Sequence, residues 1–191
     1  YDVIDQVLSD PRMPESIQGV GFQWEGGQIL PRIREKYPQY RYVQTEGECG
    51  WGSFDWKAAE HTFERINHYL GNGCEEYTFW NAILCDDGTS GWGWKQNALI
   101  RVDSKSCRAT FTPEYYAVKH YSHFIAPGSE VIACLSGKES GMPVLAVRTP
   151  QGKYVVMAAN FKDSERALTM QIAGRYLNVK LCAHSLHTFQ L

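Results

Sequence analysis

Three short stretches of this 191-residue chain bring carboxylates together with indoles and amides: Gln23-Trp24-Glu25, Thr45-Glu46-Gly47-Glu48, and Trp80-Asn81 with the following loop that carries Trp92 and Trp94. A carboxylate held at a strand end can serve as nucleophile, base or metal ligand. Indoles offer flat, amphipathic faces of the kind on which a sugar ring packs. Together these groups have the chemistry of a sugar cleft. Spacing alone favours Glu46 and Glu48 equally as the reacting carboxylate, and a Glu beside Gly in a loop is often only a solvated surface residue.

Other constellations are weaker. His120-x-x-His123 and His184-x-x-His187 each set two imidazoles three residues apart, but a metal site needs three or more donors and no third one stands near in sequence. The Gly-rich run Gly88-Thr89-Ser90-Gly91-Trp92-Gly93-Trp94 lacks the Lys-Ser/Thr ending of a phosphate loop. No metal and no cofactor is expected. The six cysteines, at 49, 74, 85, 107, 134 and 182, contain no Cys-x-x-Cys pair and do not decide the redox compartment. Cys74 and Cys85 flank an expected strand, too far apart along an extended chain to bridge directly, and are expected to be buried thiols.

The elements that must position these residues follow from periodicity. Residues 17–24 and 41–45 read as strands, and residues 29–37 as a short helix between them. Trp56, Ala59, Phe63, Ile66 and Leu70 recur at spacings of three and four, which predicts a helix capped by Asp55 and stopped by Gly71 or Gly73. Tyr77–Leu84 reads as a third strand, a strand or turn follows near Leu99–Val102, and Pro113 opens a helix to Ile125. This alternation predicts an α/β architecture with parallel strands and crossover helices. In such architectures the working residues lie at strand C-termini, where all three stretches fall.

Pro127-Gly128 marks a change. Val131–Leu135, Val144–Val147, Tyr154–Ala158, Ala167–Ile172, Val179–Leu181 and Leu186–Gln190 read as short antiparallel strands with turn signals such as Pro150-Gln151-Gly152. Two domains are expected, 1–127 and 128–191. A closed (β/α)8 barrel takes about 250 residues and an immunoglobulin-like sandwich about 100. The chain is therefore expected to be the C-terminal piece of a longer protein.

Composition narrows the partners. Nineteen Lys and Arg against 21 Asp and Glu give a net charge of −2, without the basic surplus that a nucleic-acid partner would usually call for. No apolar run approaches the ~18 residues of a membrane span, so stable membrane insertion is not expected. The high content is aromatic, with six Trp, eleven Tyr and eight Phe, many of the Trp beside Gly and polar residues. That placement suits a flat, hydroxylated ligand.

Four runs in order, GVGFQW, YPQYRYVQTEGECGWGSFDW, YTFWNAIL with GWGWKQNALI, and TPEYYAVKHYSHFIAPGS, resemble the C-terminal half of glycoside hydrolase family 30, the family of glucosylceramidase and related retaining β-glycosidases. The resemblance runs from about Ser9 to the end and is strongest between Gly19 and Gly128. It implies the last three βα units of a (β/α)8 TIM barrel, fused to an all-β sandwich. It implies that Glu46, in the Thr45-Glu46 pair, is the nucleophile, with Glu48 in a supporting or structural role. It places Trp80 beside the sugar subsite, and Gln23 and Trp24 at the sixth-strand end. Trp92, with Trp94, lies in a variable loop expected to reach substrate. Glu25 stands where glucosylceramidase has a Tyr that hydrogen-bonds the nucleophile, so Glu25 either points elsewhere or tunes Glu46 differently. His120 and His123 become packing residues.

The family's acid/base is the Glu of an Asn-Glu pair on the fourth strand, and no Asn-Glu dipeptide occurs in the chain. The chain alone is therefore expected to be inactive. The substrate expected is a carbohydrate or glycolipid, glucosylceramide-like or β-glucan-like, in a secreted or otherwise extracytoplasmic setting. The alternative is a non-catalytic carbohydrate-binding protein that keeps the aromatic cleft.

Overall fold

The computed structural model describes residues 1–47, 50–134 and 140–191, with the exception of the Glu25 side chain. These residues form two compact units, one of residues 1–54 and 68–112, the other of residues 55–67 and 113–191.

In the first unit the helices α1 (Asp2–Leu8) and α2 (Met13–Ser16) precede strand β1 (Gly19–Gln23). A 3-10 turn over Trp24–Ile29 leads into helix α3 (Leu30–Lys36), which returns the chain to strand β2 (Arg41–Glu46). β1 and β2 pair in parallel from Gly19↔Arg41 to Phe22↔Gln44, as the crossover helix between them requires. Phe22, Leu30, Ile33, Tyr37, Tyr40, Tyr42 and Tyr69 make one core cluster, with Phe22 stacked on Tyr42 at 6.3 Å. The Tyr42 hydroxyl donates to the Tyr37 carbonyl at 2.8 Å, which ties β2 to the end of α3. The sequence reading missed α1 and α2.

The expected third strand, Tyr77–Leu84, is corrected. Its start runs beside β2, with the Thr78 N–H donating to the Gln44 carbonyl and the Gln44 N–H to the Glu76 carbonyl, both at 3.0 Å. Its end is a separate short strand, β3 (Ile83–Cys85), which pairs in parallel with β4 (Ile100–Val102). One apolar run is thus shared between two neighbours, and the ladder breaks where it changes partner. β4 pairs antiparallel with β5 (Ala109–Phe111).

Helix α4 (Trp56–Gly71) is divided between the units at Asn67/His68. Asp55 caps it, accepting the Ala58 N–H at 2.8 Å, and Gly73 follows its end at φ +92°. Its buried side chains are Ala59, Thr62, Phe63, Ile66 and Tyr69. Tyr69, rather than the expected Leu70, completes the buried stripe.

In the second unit helix α5 (Pro113–Ser122) is followed by strands β6 (Glu130–Ile132), β7 (Val144–Arg148), β8 (Tyr154–Asn160), β9 (Arg166–Ile172), β10 (Arg175–Leu181) and β11 (Ser185–Gln190). The order β11-β8-β7-β6 makes one antiparallel sheet, and β9 with β10 makes a second. Ala146, Val156 and Met170 form a core with Leu168, Ile172, Leu177, Val179 and Phe189, so side chains of both sheets interdigitate as in a β-sandwich. β8 is buried along almost its whole length, as a central strand covered on both faces must be. β10 begins four residues before its expected start, because Ala173 and Gly174 at φ +48° and +77° close a two-residue hairpin with β9. The end of the expected strand Val131–Leu135 lies outside the described residues.

Candidate active site

Side chains alternate along β2, and Tyr42 and Gln44 are buried against the core. Strict alternation would turn Glu46 to the same packed face. The register prevents this: Phe22 opposes Gln44, but Gln23 opposes Glu46, so Thr45 is an extra residue in β2. Such a bulge re-aims the side chains at its exit. It falls directly before Glu46, at the C-terminal end of the strand, where Glu46 is half-buried while Tyr42 and Gln44 are buried. The Thr45 hydroxyl fixes the bulge by donating to the Phe22 carbonyl at 3.0 Å.

Glu46 is half-buried, and its Oε1 accepts a hydrogen bond from the indole Nε1 of Trp24. Trp24 sits just beyond β1 with a φ of +54°, a left-handed conformation that bulky residues seldom adopt and that clusters at functional sites. Two contacts hold it there. Its carbonyl accepts the Tyr69 hydroxyl at 3.2 Å, and its ring meets Trp80 edge-on with centroids 5.8 Å apart. Gly27 makes room for this arrangement, since a Cβ there would lie 2.2 Å from the Tyr69 ring. Gln23 is exposed and is the register partner of Glu46. The structure thus links Glu46 to Gln23 as its register partner and to the Trp24 indole, and Trp24 in turn to Trp80, so that a carboxylate with one oxygen bound lies against an indole that packs on a second one.

The loops after Glu46 and Trp80 are tied together. Asn97 is buried, and its Oδ1 accepts the Gly52 N–H at 2.6 Å. The Asn81 amide donates to Gln96 Oε1 at 3.3 Å. The sequence reading missed Gln96 and Asn97. Their signal is a polar pair set directly before the apolar Ala98-Leu99-Ile100, where a buried amide must find partners. Trp92 is 76% exposed and packs on Trp94, with centroids 5.6 Å apart. Among the described residues no ring contact joins it to Trp24 or Trp80. Glu48 and Cys49, and the side chain of Glu25, lie outside the described residues.

The histidines are engaged elsewhere. His120 Nδ1 lies 2.8 Å from the Thr188 hydroxyl and His187 Nε2 lies 2.7 Å from the Ser185 hydroxyl, while His184 sits between Glu60 and Asp163, 2.9 Å from each. Among the described residues no group of three or more His, Cys, Asp or Glu could hold a metal ion, and no helix is long and apolar enough to cross a membrane. Cys74 is buried as expected, and burial pushes its thiol up to about 12. Cys85 departs from expectation: it is exposed, because it ends the three-residue strand β3, whose outer positions Ile83 and Cys85 both face out.

Residues 128–189 match the family model described as the glycosyl hydrolase family 30 beta sandwich domain. The lysosomal acid glucosylceramidase of Mus musculus is 24% identical over 96% of this chain and 38% of its own length. Overall the chain spans about a third of the length of the curated relatives it matches. Among solved structures, SrfJ from Salmonella typhimurium superposes with a TM-score of 0.90 at 18% identity, over 100% of this chain and 44% of that one. An endo-β1,6-glucanase superposes with a TM-score of 0.85 at 19% identity, over 97% of this chain and 43% of that one. The resemblance to glycoside hydrolase family 30 is thereby borne out, and the chain carries that family's β-sandwich domain.

Proposed function

We propose that this chain supplies the nucleophile and part of the sugar pocket of a retaining β-glycosidase, with Glu46 as the nucleophile. One observation carries the reading: a half-buried carboxylate directly after a bulge at a strand end, with one oxygen held by the Trp24 indole, which packs on Trp80. The bound oxygen fixes the carboxylate plane, and Oε2 is left to attack the anomeric carbon. In that step the glycosyl–oxygen bond breaks, the leaving oxygen takes a proton from a second carboxyl group, and a glycosyl ester forms on Glu46. Water, deprotonated by the same second group, then hydrolyses the ester. That second group is proposed to be a Glu of the longer protein, outside these 191 residues.

In this reading β1, β2 and the segment from Tyr77 to Cys85 are the sixth, seventh and eighth strands of a (β/α)8 barrel, and Gln23, Trp24 and Trp80 line the glycone subsite. The chemical class of substrate is a β-linked carbohydrate or glycolipid, as the names of the glucosylceramidase and glucanase relatives support. The test is trapping: in the longer protein a 2-deoxy-2-fluoro glycoside is expected to esterify Glu46, and mass spectrometry of the peptides locates it. Labelling of Glu48 would move the nucleophile. Absence of any label alongside sugar binding would favour the non-catalytic carbohydrate-binding reading, which the exposed Trp92–Trp94 pair also suits.

A further inference from the structure

Three indoles of the first unit stand in solvent on two loops that are fastened to each other. Trp51 is 88% exposed, Trp92 76% and Trp94 57%. Single exposed apolar residues are ordinary, but clustered large ones mark a binding surface. Trp92 and Trp94 pack on each other, and the loop of Trp51 is held against the chain that follows them. Both glycines flanking Trp51 abut the strand of chain that follows Trp94: a Cβ at Gly52 would lie 2.8 Å from the Lys95 Cβ, and one at Gly50 2.8 Å from the Asn97 amide. The Gly52 N–H closes the link on Asn97.

The loop that presents Trp92 and Trp94 is braced rather than slack. The Ser90 N–H donates to the Trp94 carbonyl at 2.7 Å, the Gly93 N–H to the Ser90 carbonyl at 2.9 Å, and the Trp94 N–H to the Ser90 hydroxyl at 3.2 Å. Thr89 donates from N–H and hydroxyl to Asp87 Oδ1. Gly93, at φ +81°, supplies the turn, and open space surrounds Gly91 and Gly93 on either side of Trp92. Bracing of this kind lowers the ordering cost of a ligand that lands on the rings.

We propose that Trp51, Trp92 and Trp94 form a platform for further sugar units of a neutral β-linked glycan chain, so that the Glu46 site works on an oligosaccharide or polysaccharide rather than on a lone glycoside. The chain-length part rests on the reading of Glu46 as nucleophile. Neutrality follows from the balance of charges nearby: the Lys95 ammonium lies 3.7 Å from the Asp87 carboxylate, and the Arg101 guanidinium, which donates to the Asp86 carbonyl at 2.9 Å and lies over the Phe54 ring, is matched by the carboxylate of the same Asp86, which accepts the Ser104 N–H. A compensated, hydroxyl-rich rim fits sugar hydroxyls, whereas an anionic membrane surface would require uncompensated cations. The platform leads to the site through short connections, because Trp51 follows Glu46 by five residues and Gln96 is bonded to Asn81.

The test titrates this chain calorimetrically with β-1,6-linked gluco-oligosaccharides and β-1,4-linked xylo-oligosaccharides of two to six units. Affinity in one series is expected to rise about tenfold or more from the dimer to the longest member. Trp51→Ala and Trp92→Ala are each expected to remove about tenfold of that gain, with Trp92→Phe restoring most of it. Affinity independent of length in both series, or unmoved by both substitutions, overturns the proposal. So does binding to phosphatidylserine vesicles that both substitutions abolish while oligosaccharides stay unbound. Fluoro-glycoside labelling of Glu46 without length dependence sinks the platform alone, whereas length dependence without labelling sinks the nucleophile and leaves the platform.

Discussion

The indole N–H of Trp24 donates to a carboxylate oxygen of Glu46, joining the ends of two parallel strands across 22 residues of sequence. The contact exists because two local irregularities coincide. The extra residue Thr45 interrupts the alternation of β2 just before Glu46, and the backbone at Trp24 is left-handed directly after β1. A charge-assisted bond of this kind contributes about 1.5–3 kcal/mol. Trp24→Phe removes the N–H together with part of the ring and leaves an aromatic face toward Trp80. In the longer protein kcat/KM for an aryl β-glycoside is expected to fall at least about tenfold, with the far-ultraviolet dichroism unchanged. Unaltered kinetics would show that the indole does not orient the carboxylate during reaction.

Retaining hydrolysis needs two carboxyl groups about 5–5.5 Å apart, and the proposed partner of Glu46 lies outside these residues. The chain by itself is therefore expected to give no turnover of an aryl β-glucoside above the buffer rate, at any protein concentration. Steady release of the phenol that disappears in Glu46→Gln would reveal a proton donor within the chain.

Tyr69 supports Trp24 from behind, and it fits because residue 27 has no side chain. A Cβ at Gly27 would sit 2.2–2.4 Å from two ring carbons and the hydroxyl oxygen of the fully buried Tyr69. Neither side can yield cheaply, since Tyr69 is also packed on Phe22 and Tyr77. Gly27→Ala is expected to cost about 1–3 kcal/mol in urea unfolding, and to weaken the Tyr69–Trp24 bond. A midpoint within error of the parent would mean that the ring has room to spare.

Much of this was legible in the sequence, for physical reasons that differ by element. The stripe Ala59, Phe63, Ile66 and the cap Asp55 announced α4, because helix periodicity and capping are local properties. The rule that working residues gather at strand C-termini picked out Glu46, Trp24 and Trp80. The bulge at Thr45 was not readable, because register is set by what a strand pairs with. The split of the Tyr77–Leu84 run has the same cause, since 76–78 bond to β2 and Ile83–Cys85 to β4. Cys85 was expected buried only because it could not reach Cys74, and a thiol without a disulfide need not be covered: it ends the short strand β3 and is exposed. Tyr69 was overlooked in favour of Leu70, one position along the same helix.

Three of the five histidines of the second unit have pKa values displaced in opposite senses, so its stability is expected to peak near neutrality. His184 has a carboxylate 2.9 Å from each ring nitrogen, Glu60 on α4 and Asp163 after β8. A neutral imidazole carries one N–H and can satisfy only one of them. Asp163 first and Glu60 next therefore raise its pKa above the usual 6.5. A group whose folded pKa is raised contributes stability that is full below the unfolded value and is lost as pH climbs through the folded value. His120 and His187 behave conversely. Burial lowers both, and for His120 the neighbouring His187 charge lowers it further. Their folded state binds fewer protons than the unfolded state, so acidification below about 6.5 destabilises the unit through them. Thermal melts of the chain from pH 5 to 9, with helix and sheet followed by circular dichroism, are expected to fall on both limbs. His184→Gln should flatten the alkaline limb and leave the acidic one, and His187→Gln should soften the acidic limb alone. An alkaline limb that survives in His184→Gln would show that the two carboxylates do not hold the imidazole as a cation.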